Sequence, residues 1–273
     1  MIDVLPIFPL LNEELIKVLK SLKPKDWERK TVCPKWNIKD IVAHLLDTNL
    51  RRLTIGRDGY FIGDTNQLTT YEDFLGLYNN LNADWVVAMK RVSPDILIEM
   101  MEKHQNDLVD YLKELNPFKS ALFPVLWAGK DYSENWFDIS RQYSERWLHQ
   151  QQIRQALNDQ TLLQPKYYFP FLETNMQALP HTYKNVVANI GETVKVEVVG
   201  DAGGVWSIIK NVDGWKFTVE EDLNPKSLIY IDQQIAWLLF SGGINPMDAA
   251  QYYQIHGDVN LASYVLKMKT ILM

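Results

Sequence analysis

The hydrophobic period changes once along this chain, and that change limits its fold more than any other feature. Up to about residue 155 the apolar residues recur at helical spacing; beyond residue 190 they alternate. In residues 11–22, Leu15, Ile16, Val18, Leu19 and Leu22 form one stripe that stops before Pro24. Asn37, with Asp40 three residues on, predicts an N-cap with an acidic first turn. It opens a helix striped by Ile38, Ile41, Val42, Leu45, Leu46 and Leu50. Gly59, Gly63, Asp64 and Asn66 mark residues 58–70 as a loop. A third helix is expected over 71–92, and Ser93 with Pro94 restarts the chain as a cap with proline at the first helical position. The fourth helix then runs to about residue 115. Residues 117–134 hold Pro124, Gly129 and several aromatics and read as a long ordered loop, followed by a fifth helix over 134–157. Long helices joined by loops predict a bundle.

The last third has another texture. Gln164-Pro165 and Leu179-Pro180 bracket an expected linker containing Tyr167, Tyr168, Phe169 and Phe171. Val194, Val196 and Val198 then alternate with Thr193, Lys195 and Glu197, as a half-buried strand does. Residues 205–209, 215–219 and 228–231 are further strand candidates, the first two separated by a hairpin-like turn ending at Gly214. Residues 233–240, 246–253 and 259–272 read as helices. At 273 residues the chain exceeds what one core usually organises. Two domains are therefore expected, a helical one over 1–160 and a small α+β one over 161–273.

Composition narrows the partners. The formal charge is -6 and no basic block occurs, which argues against nucleic acid or an anionic membrane as the main partner. The longest apolar runs, such as 235–240, are far too short to span a bilayer. The N-terminus shows no charged region followed by an apolar stretch, so no secretory signal is expected. Cys33 is the only cysteine, which excludes an internal disulfide and suits a reducing cytoplasm.

The fifth helix carries the chemistry. Glu145 and His149 are one turn apart, and Asp138, Arg141, Leu148 and Gln152 share their side. A bundle helix normally turns aliphatic residues inward. Ionisable groups there are costly unless they are paired or bound to a metal. His44 lies at the border of the second helix's apolar stripe, facing the bundle. Two histidines and a glutamate form the ligand set of a catalytic zinc with one position left open. The same residues, taken alone, also suit a packed core histidine beside an ordinary carboxylate.

Beyond that chemistry lies a resemblance. The segment Trp36-Asn-Ile-Lys-Asp40-Ile-Val-Ala-His44, led by Cys33-Pro34, resembles the first motif of the DinB-like and mycothiol-dependent maleylpyruvate isomerase superfamily. Arg141, Glu145, His149, Gln152 and Ile153 resemble its later helix, and the run from Val199 through Gly204 to Trp206 is similar to the sterol-carrier-like domain behind the bundle. The resemblance implies an α+β fold of two domains, a DinB-like four-helix bundle and a small α+β domain. It also implies a divalent metal, zinc first and nickel next, on His44, Glu145 and His149. Asp47, Arg141 and Gln152 become candidates for the surrounding shell. Two departures argue against maleylpyruvate as the substrate. Gln152 stands where the isomerase branch has aspartate, and no arginine follows Arg154, so any anion clamp must come from the bundle, where Arg51, Arg52, Arg57, Arg141, Arg146 and Arg154 lie.

What the resemblance implies is thiol chemistry: transfer to, or isomerisation of, a small electrophile with a low-molecular-weight thiol such as bacillithiol or mycothiol. The alternatives are metal-dependent hydrolysis, and a non-catalytic ligand-binding protein whose metal staples the bundle, with His104 or Asp47 as a fourth ligand. Cys33 reads as a packed residue and His104 as a surface one. His181 belongs to the linker, and His256 before Gly257 marks a helix end. Trp127, Tyr132, Trp136 and Phe137 either wall a pocket beside the metal or pack their own loop.

Overall fold

The computed structural model describes residues 1–60, 71–219 and 225–271. The loop expected over 58–70 lies outside the described residues from position 61 on. By contacts the chain divides into Leu5–Asn116 with His149–Asp159, and Met1–Val4 with Pro117–Leu148 and Gln160–Met273.

The helical unit holds α1 (Phe8–Ser21), α2 (Ile38–Arg52), α3 (Tyr71–Met89), α4 (Pro94–Glu114) and the last turns of α5 (Asn135–Ala156). Its start signals work as the residues dictate. Asn37 accepts a hydrogen bond from the Asp40 amide at 2.9 Å, and the Asp40 carboxylate accepts from the Asn37 amide at 3.3 Å. This reciprocal box satisfies two otherwise orphaned donors at the head of α2. Ser93 caps α4 by accepting from the Ile96 amide at 3.4 Å. Leu15 and Leu19 of α1, Ile38, Ile41, Val42, Leu45 and Leu46 of α2, Leu97 and Met101 of α4 and Ile153 of α5 bury one shared core. Beyond Arg52, α2 widens into a π turn over Leu53–Arg57.

α5 is buried nearly all round, although it is rich in polar residues. Ser144, Gln150 and Gln152 are fully buried, and His149 and Arg154 nearly so. Backbone acceptors of α1 absorb part of this polarity. Gln150 donates to the Leu11 carbonyl at 3.0 Å, and Arg154 to the Glu14 carbonyl at 2.8 Å.

The second unit is built on a mixed five-stranded sheet in the order β3-β2-β1-β4-β5. Its strands are β1 (Thr193–Val199), β2 (Gly204–Asn211), β3 (Gly214–Thr218), β4 (Ser227–Asp232) and β5 (Tyr253–Gly257). β1 and β4 are parallel; the other neighbours are antiparallel. Val194, Val196, Val198, Ile208, Ile229 and Ile231 fill the buried face, as period-two alternation requires. α8 (Gln233–Ser241) follows, capped by Asp232 accepting from the Gln234 amide at 2.7 Å, and ends at Gly242 in the left-handed region, φ 77°.

Four expectations are corrected here. The stretch expected as a linker is α6 (Pro165–Met176) and α7 (Leu179–Thr182). Pro165 and Pro180 are helix starters there, since proline suits the first helical positions. Tyr167, Tyr168 and Phe171 point into the core. Residues 246–253 form turns and a short 3-10 turn (Ala250–Tyr252), and β5 follows as an edge strand on β4. His256 therefore lies in a strand and does not end a helix. The expected helix over 259–272 shrinks to α9 (Val259–Ala262) and a 3-10 turn (Ser263–Lys267). The chain then turns extended, and the Thr270 amide donates to the Phe240 carbonyl at 3.0 Å.

Candidate metal centre

His44 sits two turns into α2, where the capping box sets the helix start and its apolar stripe sets the rotation. Glu145 and His149 are successive turns of the continuous helix α5. The structure brings all three together: each offers one ligand atom, and these atoms lie within 4.8 Å of one another. Both histidines are buried, and Glu145 is half-buried. Their imidazoles meet edge to face, with centroids 4.7 Å apart at 77°. Neither Asp47 nor His104 belongs to the group.

The protonation pattern suits ligation. Burial, then the neighbouring His149 and Arg51, hold the His44 imidazole well below its ordinary pKa. His44 is thus neutral near pH 7, the form that binds metal. Its Nδ1 is buried with no hydrogen-bond partner among the described residues, a costly condition that metal ligation would relieve. Nδ1 of His149 donates to Oε1 of Gln152 at 2.9 Å, which leaves Nε2 as the other ring nitrogen. A ligating histidine is usually oriented through its second nitrogen in this way. Replacing Gln152 by alanine should weaken zinc binding by about 10- to 100-fold. Chelator competition measures this, and an unchanged affinity would remove Gln152 from the site.

The other expected residues are engaged elsewhere. Asp47, one turn beyond His44, faces Arg51 at 3.0 Å; burial raises its carboxyl pKa and Arg51 opposes the rise. Arg51 also donates to Asn82 at 2.7 Å. Arg141 pairs with Asp138 at 2.6 Å, one turn back on α5. Arg57 pairs with its exposed neighbour Asp58, and Arg154 with Asp159. Cys33 is buried, which pushes its thiol pKa up and away from the reactive thiolate. His104 faces Asp107 at 3.3 Å, and His256 packs its ring on Tyr230. His181 comes within 3.4 Å of the Lys184 ammonium. Phe137 packs with Val125, Ala128, Trp127 and Trp136 as a small core of their own loop, while Tyr132 is exposed.

Trp36 gains a position that sequence reasoning gave it only as a motif letter. Its ring lies 4.7 Å from His44 and 6.1 Å from His149, centroid to centroid. Helical spacing carries no signal for this contact, because Trp36 precedes the helix.

A helical unit and a mixed-sheet unit in one chain define a class by fold, and comparison with known proteins names the family. Residues 8–154, more than half of the chain, match the model for the mycothiol maleylpyruvate isomerase N-terminal domain, and the chain belongs to that family. A crystal structure of a mycothiol-dependent maleylpyruvate isomerase is similar at a TM-score of 0.53 and 11% identity, covering 88% of each chain. A mutant structure of a mycothiol-dependent maleylpyruvate isomerase gives 0.52 and 10%, covering 93% of this chain and 92% of the other. At such identity these two show a shared fold. No curated protein matches the chain. Among the described residues no helix is long and apolar enough to cross a membrane.

Proposed function

We propose that this chain is a metal-dependent enzyme that uses a low-molecular-weight thiol to isomerise, or to add to, a small electrophile. The observation that carries this reading is the convergence of ligand atoms of His44, Glu145 and His149 within 4.8 Å. Two imidazoles and one carboxylate are the donor set of a catalytic zinc site, which keeps a coordination position open. Nickel is the second choice by ligand type. A divalent cation held there would supply a Lewis-acidic position at which a thiol ionises.

The chain's own residues do the rest. His44 and His149 present imidazole nitrogens from a buried setting. Gln152 holds the orientation of His149, and Glu145 adds a carboxylate to the two imidazoles. Addition of a thiolate to a carbon–carbon double bond, rotation and expulsion of the same thiolate would give isomerisation. Membership of the family supports the thiol, with mycothiol or bacillithiol as the forms to try. The domain reading that goes with it assigns 1–160 to the bundle and 161–273 to the α+β domain, in the cytoplasm.

The test loads purified protein with zinc or nickel and supplies mycothiol, bacillithiol or glutathione with model electrophiles. Turnover should require both metal and thiol. Turnover without thiol would redirect the site to hydrolysis, and no turnover with any pair would remove the enzymatic reading.

A further inference from the structure

The Trp36 indole lies close to both histidines of the cluster. Its centroid lies 4.7 Å from that of His44 at an interplanar angle of 38°, and 6.1 Å from that of His149 at 47°. The ring is presented by a braced turn. The Trp36 amide donates to the Cys33 carbonyl at 3.2 Å, and the Thr31 hydroxyl donates to the Trp36 carbonyl at 2.9 Å. The Cys33 amide donates back to the Thr31 hydroxyl at 3.2 Å. Lys30 and Asn37 close the base of the turn as an isolated bridge, and the Ile38 amide donates to the Arg29 carbonyl at 3.1 Å. Asn37, the next residue, caps α2. One stretch of backbone therefore fixes both the indole and the start of the helix that carries His44.

We propose that Trp36 is a positioning residue of the metal centre, whose indole holds both ligand imidazoles and favours them in their metal-bound, more positive state. This rests on the metal reading above. An imidazole that donates a lone pair to a divalent cation gains positive character. The face of an indole attracts positive charge within about 6 Å, more strongly than a phenyl ring does. The gain exists only when metal is bound, so Trp36 raises affinity beyond its contribution to packing. The indole also packs against the apolar core of the helical unit, so it is held from behind as well.

The experiment compares the full chain with Trp36→Phe and Trp36→Ala. Zinc affinity is measured by competition with a chromophoric chelator. Cobalt(II) absorption and tryptophan fluorescence are followed in parallel, and metal-free melting is recorded for each protein. The expected order of affinity is tryptophan, phenylalanine, alanine, with alanine about 10- to 100-fold weaker than the parent. Cobalt should quench part of the parent's fluorescence, and that part should be missing in Trp36→Phe. Equal zinc affinity in all three proteins, with only the melting temperature lowered in Trp36→Ala, would overturn the proposal and leave Trp36 a packing residue. If the parent itself binds neither zinc nor cobalt, the metal reading fails, a result distinct from equal affinities among the three.

Discussion

Exchanging His149 for alanine should abolish the zinc binding and the thiol-dependent turnover proposed for this site. His149 is a ligand candidate on α5, anchored through Gln152, and its ring is buried against His44. Its loss leaves one imidazole and one carboxylate. The loss in affinity should exceed the roughly 10- to 100-fold that outer partners of ligating histidines are worth. His149→Gln, closer in volume, guards against a simple packing defect. Metal content after dialysis, counted per chain, reads the effect. A variant that retains the parent's stoichiometry would show that the metal is held elsewhere.

The largest effect on stability should come from Trp147→Ala. Trp147 is fully buried and stacks on Tyr168 at 4.7 Å and 4°, with Phe171 at 4.2 Å and Trp237 at 6.3 Å. Its indole N–H donates to the Leu162 carbonyl at 3.1 Å. Tyr168 extends the network, donating to the Gln233 carbonyl at 2.8 Å and accepting from the Trp237 amide at 3.1 Å. Truncating such a side chain costs about 3–5 kcal/mol, through lost burial and the cavity left behind. In a unit of this size that lowers the melting transition by roughly 10 °C. Trp147→Phe keeps an aromatic ring but orphans the Leu162 carbonyl, and should cost less, about 1–3 kcal/mol. Calorimetry on the metal-free proteins separates the two; an alanine variant within a degree of the parent would contradict the packing account.

The helical half was legible because its punctuation is local. Asn37 with Asp40 and Ser93 with Pro94 each act through their own backbone, so α2 and α4 begin close to where the residues place them. The β1 and β2 strands were legible for the same reason, through period-two valines and the turn at Gly214. The stretch over 164–182 was not, because proline breaks a helix from within but starts one at its first position, and sequence alone does not say which position it occupies. β5 escaped because an edge strand of five residues depends on its partner β4, a pairing far away in sequence. At the site, residue type and helical spacing left His44, Glu145 and His149 open between ligands and packed core residues, and the family resemblance singled them out. The indole across both imidazoles was not legible, since it depends on the path of the loop over Arg29 to Asn37. The polar girth of α5 was only half legible: the ionisable stripe was visible, but not that Gln150 and Arg154 would find carbonyls of α1.

X-ray absorption at the zinc edge, on zinc-loaded protein with and without added thiol, bears most directly on whether His44, Glu145 and His149 form a three-ligand site with an open position. Nitrogen and oxygen neighbours at about 2.0–2.1 Å are expected, with imidazole scattering from two histidines, and one sulfur at about 2.3 Å should enter when thiol is added. A shell closed by four protein ligands that admits no sulfur, or a spectrum unchanged by His44→Ala, would contradict it.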